Sequence, residues 1–349
     1  MLRTYTIDKK TIAGNSWIED RYESVGYKVC YSVDATMPQK FTVDSDGIAF
    51  YISQLAYLET KIYERKYATI TYLQDIPVVS GVPEHAQEWN YRSYDGVTAG
   101  KFIGASAKDL PKIAAKANMS KVPIGYAGNM LEWSLEELRN GAFLNMPIDT
   151  IQAGLAFRSS QEHSQTVAYF GDADRKMNGL FNHPNVPKKN APKAVSAMSG
   201  QELYDLVNDL LFEVNEDTAL THLPDTVRVY PQLFKLMNST LMTGYTDTSV
   251  MKYFKENNYY TQQTGQQIDI LPRLQLKGSM MSANGVSNGG KDRIMVYEKN
   301  EENLGVVNNM PFRLTAPQPH LLSIEVAGEY KCSGTDFRFP MSAKYADAA

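Results

Sequence analysis

Apolar positions in this chain fall into separated blocks, and two long stretches between them carry no pattern able to bury itself. Met1 to Asp46 is polar, rich in Thr, Tyr, Ser and Asp, with no sustained helical period. From Ile48 the pattern changes. Ile48, Ile52, Leu55, Leu58 and Ile62 recur every three or four residues, opposite Gln54, Glu59, Lys61 and Arg65, which predicts an amphipathic helix over 47–66. Asp44, Ser45 and Asp46 are its candidate N-caps. Thr69 to Ser80 is rich in Ile, Thr, Tyr and Val and predicts a strand, with Pro77 marking an edge or a strand end.

Glu84 to Gly128 is the second stretch. Trp89 and Tyr91 alternate with Asn90 and Arg92, Asp95-Gly96 signals a turn, and Lys121–Tyr126 and Met130–Trp133 predict short strands. Unstructured loops beyond about 12–15 residues are uncommon in compact domains, so the stretch is predicted as a long two-stranded ribbon. An isolated ribbon is marginal in water and must lie on another surface. That points to an assembly subunit before it points to an enzyme.

The remainder is more regular. Ser134-Leu-Glu-Glu137 is a capping box for a helix to about Gly141, and Pro147 restarts a second one. Asp149 to Phe170 predicts a long helix ended by Gly171 as a C-cap glycine. Its small residues Ala153, Gly154, Ala156, Ser159 and Ser160 would let a sheet or helix approach closely. The Pro- and Lys-rich run 182–197 predicts a linker and domain boundary. Ser199-Gly-Gln-Glu202 is a second capping box, before the stripe Leu203, Leu206, Val207, Leu210, Leu211, Val214. Further predicted elements are a strand at Thr226–Tyr230, a helix from Pro231 to Asn238, a helix capped by Asp247 or Thr248 and running to Asn257, and strands at Ile268–Leu271 and Arg293–Tyr297. Leu314, Leu321–Ile324, Val326, Tyr330 and Phe337–Phe339 predict returning strands.

Composition narrows the function class. The formal net charge is −4 with no basic tail, which argues against a phosphate grip driven by counterion release. The 22 tyrosines fit either interfaces or Tyr-rich strands and core. Cys30 and Cys332 have no metal or redox spacing; two reduced thiols are the default, with a disulfide between them as the alternative. No secretory signal and no run of 18 apolar residues is present.

Candidate chemistry is sparse. Gly285-Val-Ser-Asn-Gly-Gly290-Lys291-Asp292 nearly fits a phosphate-binding loop, but Asp292 stands where a magnesium-binding hydroxyl is needed and a strand follows where a helix should open. A flexible glycine loop, with Lys291 and Asp292 free to pair across a subunit contact, fits better. His85, His163, His183, His222 and His320 form no metal motif, and His163 fits a helix-surface histidine better than a general base. Asp172 and Asp174 fit turn capping, or pairing with Arg175 or with Arg158 of a neighbouring copy. Trp89 and Trp133 could anchor the ribbon to a neighbour or to its own body. No catalytic, cofactor-binding or metal-ligating residue is assigned, and no cofactor.

The element order (extended arm, helix, ribbon, long helix, α/β unit, returning strands) resembles the α+β major capsid protein fold of tailed bacteriophages, shared with encapsulin shells. Local sequence carries the resemblance further: Leu55-Ala-Tyr-Leu-Glu-Thr-Lys-Ile-Tyr-Glu64, Ala168-Tyr-Phe-Gly-Asp-Ala173, Gly179-Leu180, Asn182-His-Pro-Asn-Val186, Gly289-Gly-Lys-Asp-Arg293 and Pro317-Gln-Pro319. The resemblance implies an N-arm at 1–46, an N-terminal helix and strand at 47–83, and an extended β-loop at 84–128. It further implies a peripheral domain with a spine helix at 129–195, an axial domain at 196–305, and C-terminal strands at 306–349 completing the peripheral domain.

It also implies a non-enzymatic virion shell of hexamers and pentamers, assembled in the bacterial cytoplasm around double-stranded DNA. Portal protein and scaffold or cement proteins are the implied partners, with no sequence-specific DNA binding and no membrane. No charged, helical scaffolding segment is visible, so scaffolding is expected to be separate, dispensable or already removed. Lys108, Lys112, Lys116 and Lys121 lie in the loop region, but no matching Asn and Glu identify a covalent cross-link. An encapsulin-type compartment, a nucleotide-using α/β enzyme and a tail or baseplate protein are the alternatives.

Overall fold

The computed structural model describes residues 69–97, 114–143, 148–242 and 247–348, all within the compact unit Ala68–Ala349. The predicted arm 1–46 and helix 47–66 lie outside the described residues.

Thr69 to Ser80 does not form the expected strand. Tyr72–Asp75 makes one helical turn (α1), ended by Ile76, which the following Pro77 keeps extended. Thr71 already donates its amide to Gln165 Oε1 at 2.7 Å. Only Val78 keeps a strand contact, a parallel bridge to Val306. Strand-favouring composition yields here to burial, since Tyr72, Asp75 and Ile76 are all in the core.

The ribbon pairs β1 (Glu88–Val97) antiparallel with the start of β2 (Ala114–Ser134), from Glu88↔Pro123 to Val97↔Ala114. The two short strands expected at Lys121–Tyr126 and Met130–Trp133 are parts of this single strand of 21 residues. β2 changes partner at Pro123, where a residue without an N–H costs no ladder bond. The Ser134 box then opens α2 (Leu135–Phe143), with both reciprocal hydrogen bonds at 3.1 Å.

The long helix α3 (Ile148–Phe170) has 23 residues, about 34 Å at 1.5 Å per residue. Gly171 ends it with φ +75°; a Cβ there would meet the Met177 carbonyl oxygen at 2.2 Å. Next come β3 (Gly171–Asp172) and β4 (Met177–Asn178), a short hairpin.

The run 182–197 is not a free linker. Its β5 (Lys188–Asn190) pairs in parallel with the C-terminal strand, and Val186 and Val195 are buried. The prolines and lysines that read as a linker belong to a sheet edge, a place where both are tolerated.

The α/β unit continues with α4 (Gly200–Asp217), β6 (Thr226–Val229), α5 (Pro231–Ser239) and α6 (Val250–Asn257). Ser199 forms the predicted capping box. Ser249, rather than Asp247 or Thr248, caps α6. Two short helices were not foreseen: α7 (Tyr259–Thr264), and α8 (Gly278–Ala283), which follows β7 (Asp269–Pro272). The chain closes through β8 (Asp292–Tyr297), β9 (Leu304–Val306), β10 (Met310–Leu314), β11 (Gln318–His320), β12 (Ser323–Ser333), β13 (Thr335–Phe337) and β14 (Ala343–Ala348).

Two sheets result. The first has the order β1-β2-β12-β10, with β11 also on β12; β12 pairs with β2 from Ser134 back to Ile124. The second has the order β5-β14-β8-β6-β7. The strands of residues 306–349 are shared between the two sheets. β10 to β12 join the first, whereas β14 enters the second sheet between β5 and β8. Arg293 draws it there: its guanidinium binds Asp347 at 2.5 and 2.8 Å and the Phe181 carbonyl at 2.7 Å, and lies 4.7 Å over the Tyr345 ring.

The main core joins α1, α4 and the second sheet around one buried carboxylate. Asp75, fully buried, accepts from Arg228 Nε at 2.7 Å, from Arg273 at 2.6 and 2.7 Å, and from the Tyr169 hydroxyl at 2.6 Å. Arg228 also binds Asp269 at 2.7 Å, so two guanidiniums meet two carboxylates. Tyr297 donates to the Asp75 carbonyl at 2.8 Å. Burial alone would raise the Asp75 carboxyl; the Arg273 hydrogen bonds and the Arg228 charge overturn this and hold it below the usual carboxylate range.

Removing one partner of such a buried set strands the others, at a cost of about 3–5 kcal/mol. Asp75→Asn should therefore lower the urea midpoint by that equivalent without changing the slope. Because the folded carboxyl titrates below its unfolded value of about 4, its contribution is full above that pH and fades as pH falls through the folded value. The acid-induced loss of stability should be correspondingly shallower in Asp75→Asn, and equal slopes in the two proteins would refute the assignment.

Candidate functional site

The ribbon is the feature most in need of an explanation. From Ala114 to Pro123, β2 pairs only with β1, so along that part the first sheet narrows to two strands. What orients it is its root. Trp89 and Tyr91 turn toward the body on one face of β1, with ring centroids 5.3 Å apart. The Arg338 guanidinium lies 4.8 Å over Trp89 and 5.7 Å from Tyr91. The Tyr91 hydroxyl donates to Asp336 Oδ2 at 2.6 Å, and the other Asp336 oxygen is 3.5 Å from Nε2 of the buried His183. Burial first, then the bond to Asp336, pushes the Tyr91 phenol up to about 12. Lys331 and Asn309 hold the approach to β1 through the carbonyls of Glu84 and Pro83, both at 2.7 Å.

The tryptophans thus anchor the ribbon within the subunit. Trp133 is buried against Leu131, Ala156 and Val326. Of the small residues of α3, Ala156 and Ser160 are buried where the helix lies on β2 and β12, with Asn129 reaching the Ala156 carbonyl at 3.0 Å, whereas Gly154 and Ser159 face outward. His163 sits on this helix against Tyr330, 2.9 Å from its hydroxyl. His222 pairs with Glu298 at 2.7 Å, while His85 and His320 are exposed.

The near-miss phosphate loop is structural. Gly285, Gly289 and Gly290 all have positive φ, and the loop runs into β8. Asp292 accepts the Gly278 amide at 2.7 Å, and Lys291 contacts Asn190 at 3.2 Å. A Cβ on Gly278 would meet the Gly290 carbonyl at 2.0 Å, so the glycines serve a close crossing of two backbones. Asp172 caps its own turn through the Asp174 amide at 3.0 Å and lies 3.8 Å from Arg175, while Arg158 pairs with Glu162. Cys332 is a free thiol that burial pushes up, which keeps it protonated and unreactive. Cys30, Lys108 and Lys112 lie outside the described residues. No cluster of three His, Cys, Asp or Glu among the described residues could hold a metal ion, and no described helix is long and apolar enough to cross a membrane.

What the surface offers instead is uncovered apolar area. On the ribbon strand, Met119, Tyr126 and Met130 are each more than half exposed. On α3, Leu155 and Phe157 are exposed, and at the β11–β12 turn Leu321 and Leu322 are 90% and 76% exposed. The pattern that located the ribbon put Leu321–Ile324 in a strand, whereas Leu321 and Leu322 form the turn before β12, and it gave no role to Asp336 or Arg338.

Comparison with known proteins gives a consistent picture. A family model for the major capsid protein matches residues 98–348. No curated protein matches the chain. Among solved structures, the capsid of Myoviridae Phage XM1 superposes with a TM-score of 0.72 at 15% identity, covering 85% of this chain and 98% of that one. The capsid of a native GTA particle gives 0.60 at 13% identity, covering 89% and 100%. A Mycobacterium phage Ogopogo chain gives 0.58 at 10% identity, covering 86% and 98%.

Tyr91→Phe keeps the ring under Arg338 and deletes the bond to Asp336. It should cost about 1–2 kcal/mol, read as a lower denaturation midpoint. Amide exchange should accelerate at residues 119–122 while β12 stays protected. Unchanged exchange there would show that the ribbon root does not depend on this bond.

Proposed function

The chain belongs to the major capsid protein family, and from that premise we propose that it self-assembles as hexamers and pentamers into an icosahedral shell around the double-stranded DNA genome of a tailed phage. Its role is structural. The observation that carries the reading is the ribbon: an arm whose root is held by Trp89, Tyr91 and Arg338 and whose two strands pair with each other as far as Val97↔Ala114, on a body with exposed apolar surface. A neighbouring copy is the natural cover for such surfaces, since arms let each subunit bury more than the roughly 1,600 Å² of a standard interface. Contacts that repeat head to tail close into rings, which is how capsomers form.

In this reading residues 1–46 are the N-arm, 47–83 the N-terminal segment that leads through α1, and 84–128 the extended loop over an adjacent subunit. Residues 129–195 are the peripheral domain with α3 as its spine, 196–305 the axial domain, and 306–349 the closing strands. Portal protein, with scaffold or cement proteins where needed, completes the particle in the bacterial cytoplasm. A net charge of −4 suits a lining that does not retain the packaged DNA.

Expression of the chain, with its genomic neighbours where needed, should yield closed particles in electron micrographs. Monomers alone at high concentration would overturn the reading, and particles filled with a protein cargo would indicate a compartment shell instead. Shortening the ribbon isolates its part. Replacing residues 95–116 by Asn-Gly closes a two-residue turn on the Tyr94↔Ala117 pair. The shortened subunit should melt within about 4 °C of the full chain, a loss of no more than about 1 kcal/mol, and fail to form shells. Shells at full yield would show that the ribbon is dispensable.

A further inference from the structure

The two sheets expose free edges, and two of these are complementary. β5 closes one edge of the second sheet, with Lys188, Lys189 and Asn190 all exposed. Between β5 and α4 lies a groove of about 330 Å³ with an apolar floor of Met198, Leu206, Leu210 and Ala346. Cations already occupy part of its rim: Lys193 pairs with Glu202 at 2.6 Å, and Lys189 is taken by Glu213. Asp205 and Asp209 also line the groove, and neither has a salt bridge among the described residues; Asp205 only accepts from Gln201 at 2.8 Å. Burial and the neighbouring Asp205 push the Asp209 carboxyl up, only partly offset by the Lys189 charge.

The other edges differ. Arg313 on β10 is held by Glu84 and Glu329, both at 2.6 Å, and Asp269 on β7 is held by Arg228. β1 is open, and its alternation turns Trp89 and Tyr91 inward and leaves Asn90 and Arg92 exposed. Arg92 has no carboxylate partner among the described residues. One chain therefore carries an open strand edge with an unpaired arginine and, elsewhere, an open edge beside two unpaired carboxylates.

We infer that the β5 edge and its groove receive the β1 edge of a second copy, with Arg92 brought onto Asp205 and Asp209. Strand addition supplies the main-chain bonds and the charges set the register. The inference rests on the capsid reading and names the surface that the ribbon root engages.

A charge swap tests it. Arg92→Glu, and Asp205→Lys with Asp209→Lys, alter two exposed positions and the half-buried Asp205, and each purified subunit is first checked for an unchanged melting temperature. Each variant should then lower particle yield at fixed concentration by about tenfold or more, because like charges would face each other. All three substitutions together should restore yield to within about threefold of the native chain. Swaps that leave yield unchanged while the native chain forms shells overturn this contact and leave the capsid reading standing. Loss of shells in the groove variant alone, with Arg92→Glu silent, assigns the groove to another occupant and also overturns the contact. A native chain that forms no shells brings down the capsid reading and the contact together.

Discussion

A single carboxylate, Asp75, is the point on which the rest of the subunit depends. Two arginines, 153 and 198 residues further along the chain, converge on it, with a tyrosine from the long helix. Buried ions of this kind contribute little net stability over an apolar core of the same volume, because desolvation offsets most of the attraction. Their effect is directional. Dispersion and apolar burial tolerate a shifted helix or a slipped strand, whereas a bidentate guanidinium on a carboxylate does not. Asp75 thereby fixes α1 against α3, β6 and the end of β7 at once. A second set, Arg293 with Asp347, does the same for β14. The body is a compact frame held by two charged rivets, surrounded by leucine, valine and tyrosine packing.

That rigidity is what lets the ribbon project. A strand of 21 residues is long enough to belong to two neighbourhoods, and Pro123 marks where it passes from one to the other. Inside that point β2 has β12 at its side and α3 across its face. Outside it has β1 alone, and two strands do not hold a direction in water by themselves. The root contacts of Trp89, Tyr91, Arg338 and Asp336 supply the missing constraint. They couple the arm to residues next to His183, so the orientation of the ribbon is set by the same body that Asp75 organises.

Much of this was legible in the sequence where the signal is local. Both Ser-x-x-Glu boxes cap the helices they announced, Gly171 ends α3, and Pro231 opens α5, because capping and φ preferences act within four residues. The alternation of Trp89 and Tyr91 located the ribbon. Illegible features depend on partners far away in the chain. The stretch 69–80 has strand composition, but Asp75 must meet two distant arginines, and the turn that positions it overrides propensity. Lys188–Asn190 resembles a linker because a sheet edge and a linker use the same residues. β14 was missed because Ala343–Ala348 is small and short, and its placement comes from Arg293. The candidate site was visible as a region and invisible as chemistry: no local pattern joins Tyr91 to Asp336 across 245 residues.

The interior and the surface of the subunit follow opposite rules, and the contrast bears on function. Inside, charged groups are matched to partners, and the arginines spend their donors on carboxylates and carbonyls. Outside, the chain leaves leucines, methionines and aromatic rings uncovered. Leu321 is the sharpest case: a branched side chain at φ +55°, a backbone region that disfavours it, almost wholly exposed at a hairpin tip. Asparagine or glycine there would relieve both the strain and the exposure, so the isolated subunit gains nothing from the leucine. Such a residue makes sense where a second surface covers it, and strain of this kind is a pointer to a contact rather than to the fold. The same logic covers Met119, Met130 and Phe157. The subunit pairs its most deeply buried charges internally and leaves apolar side chains uncovered, a division of labour that fits a self-assembling shell.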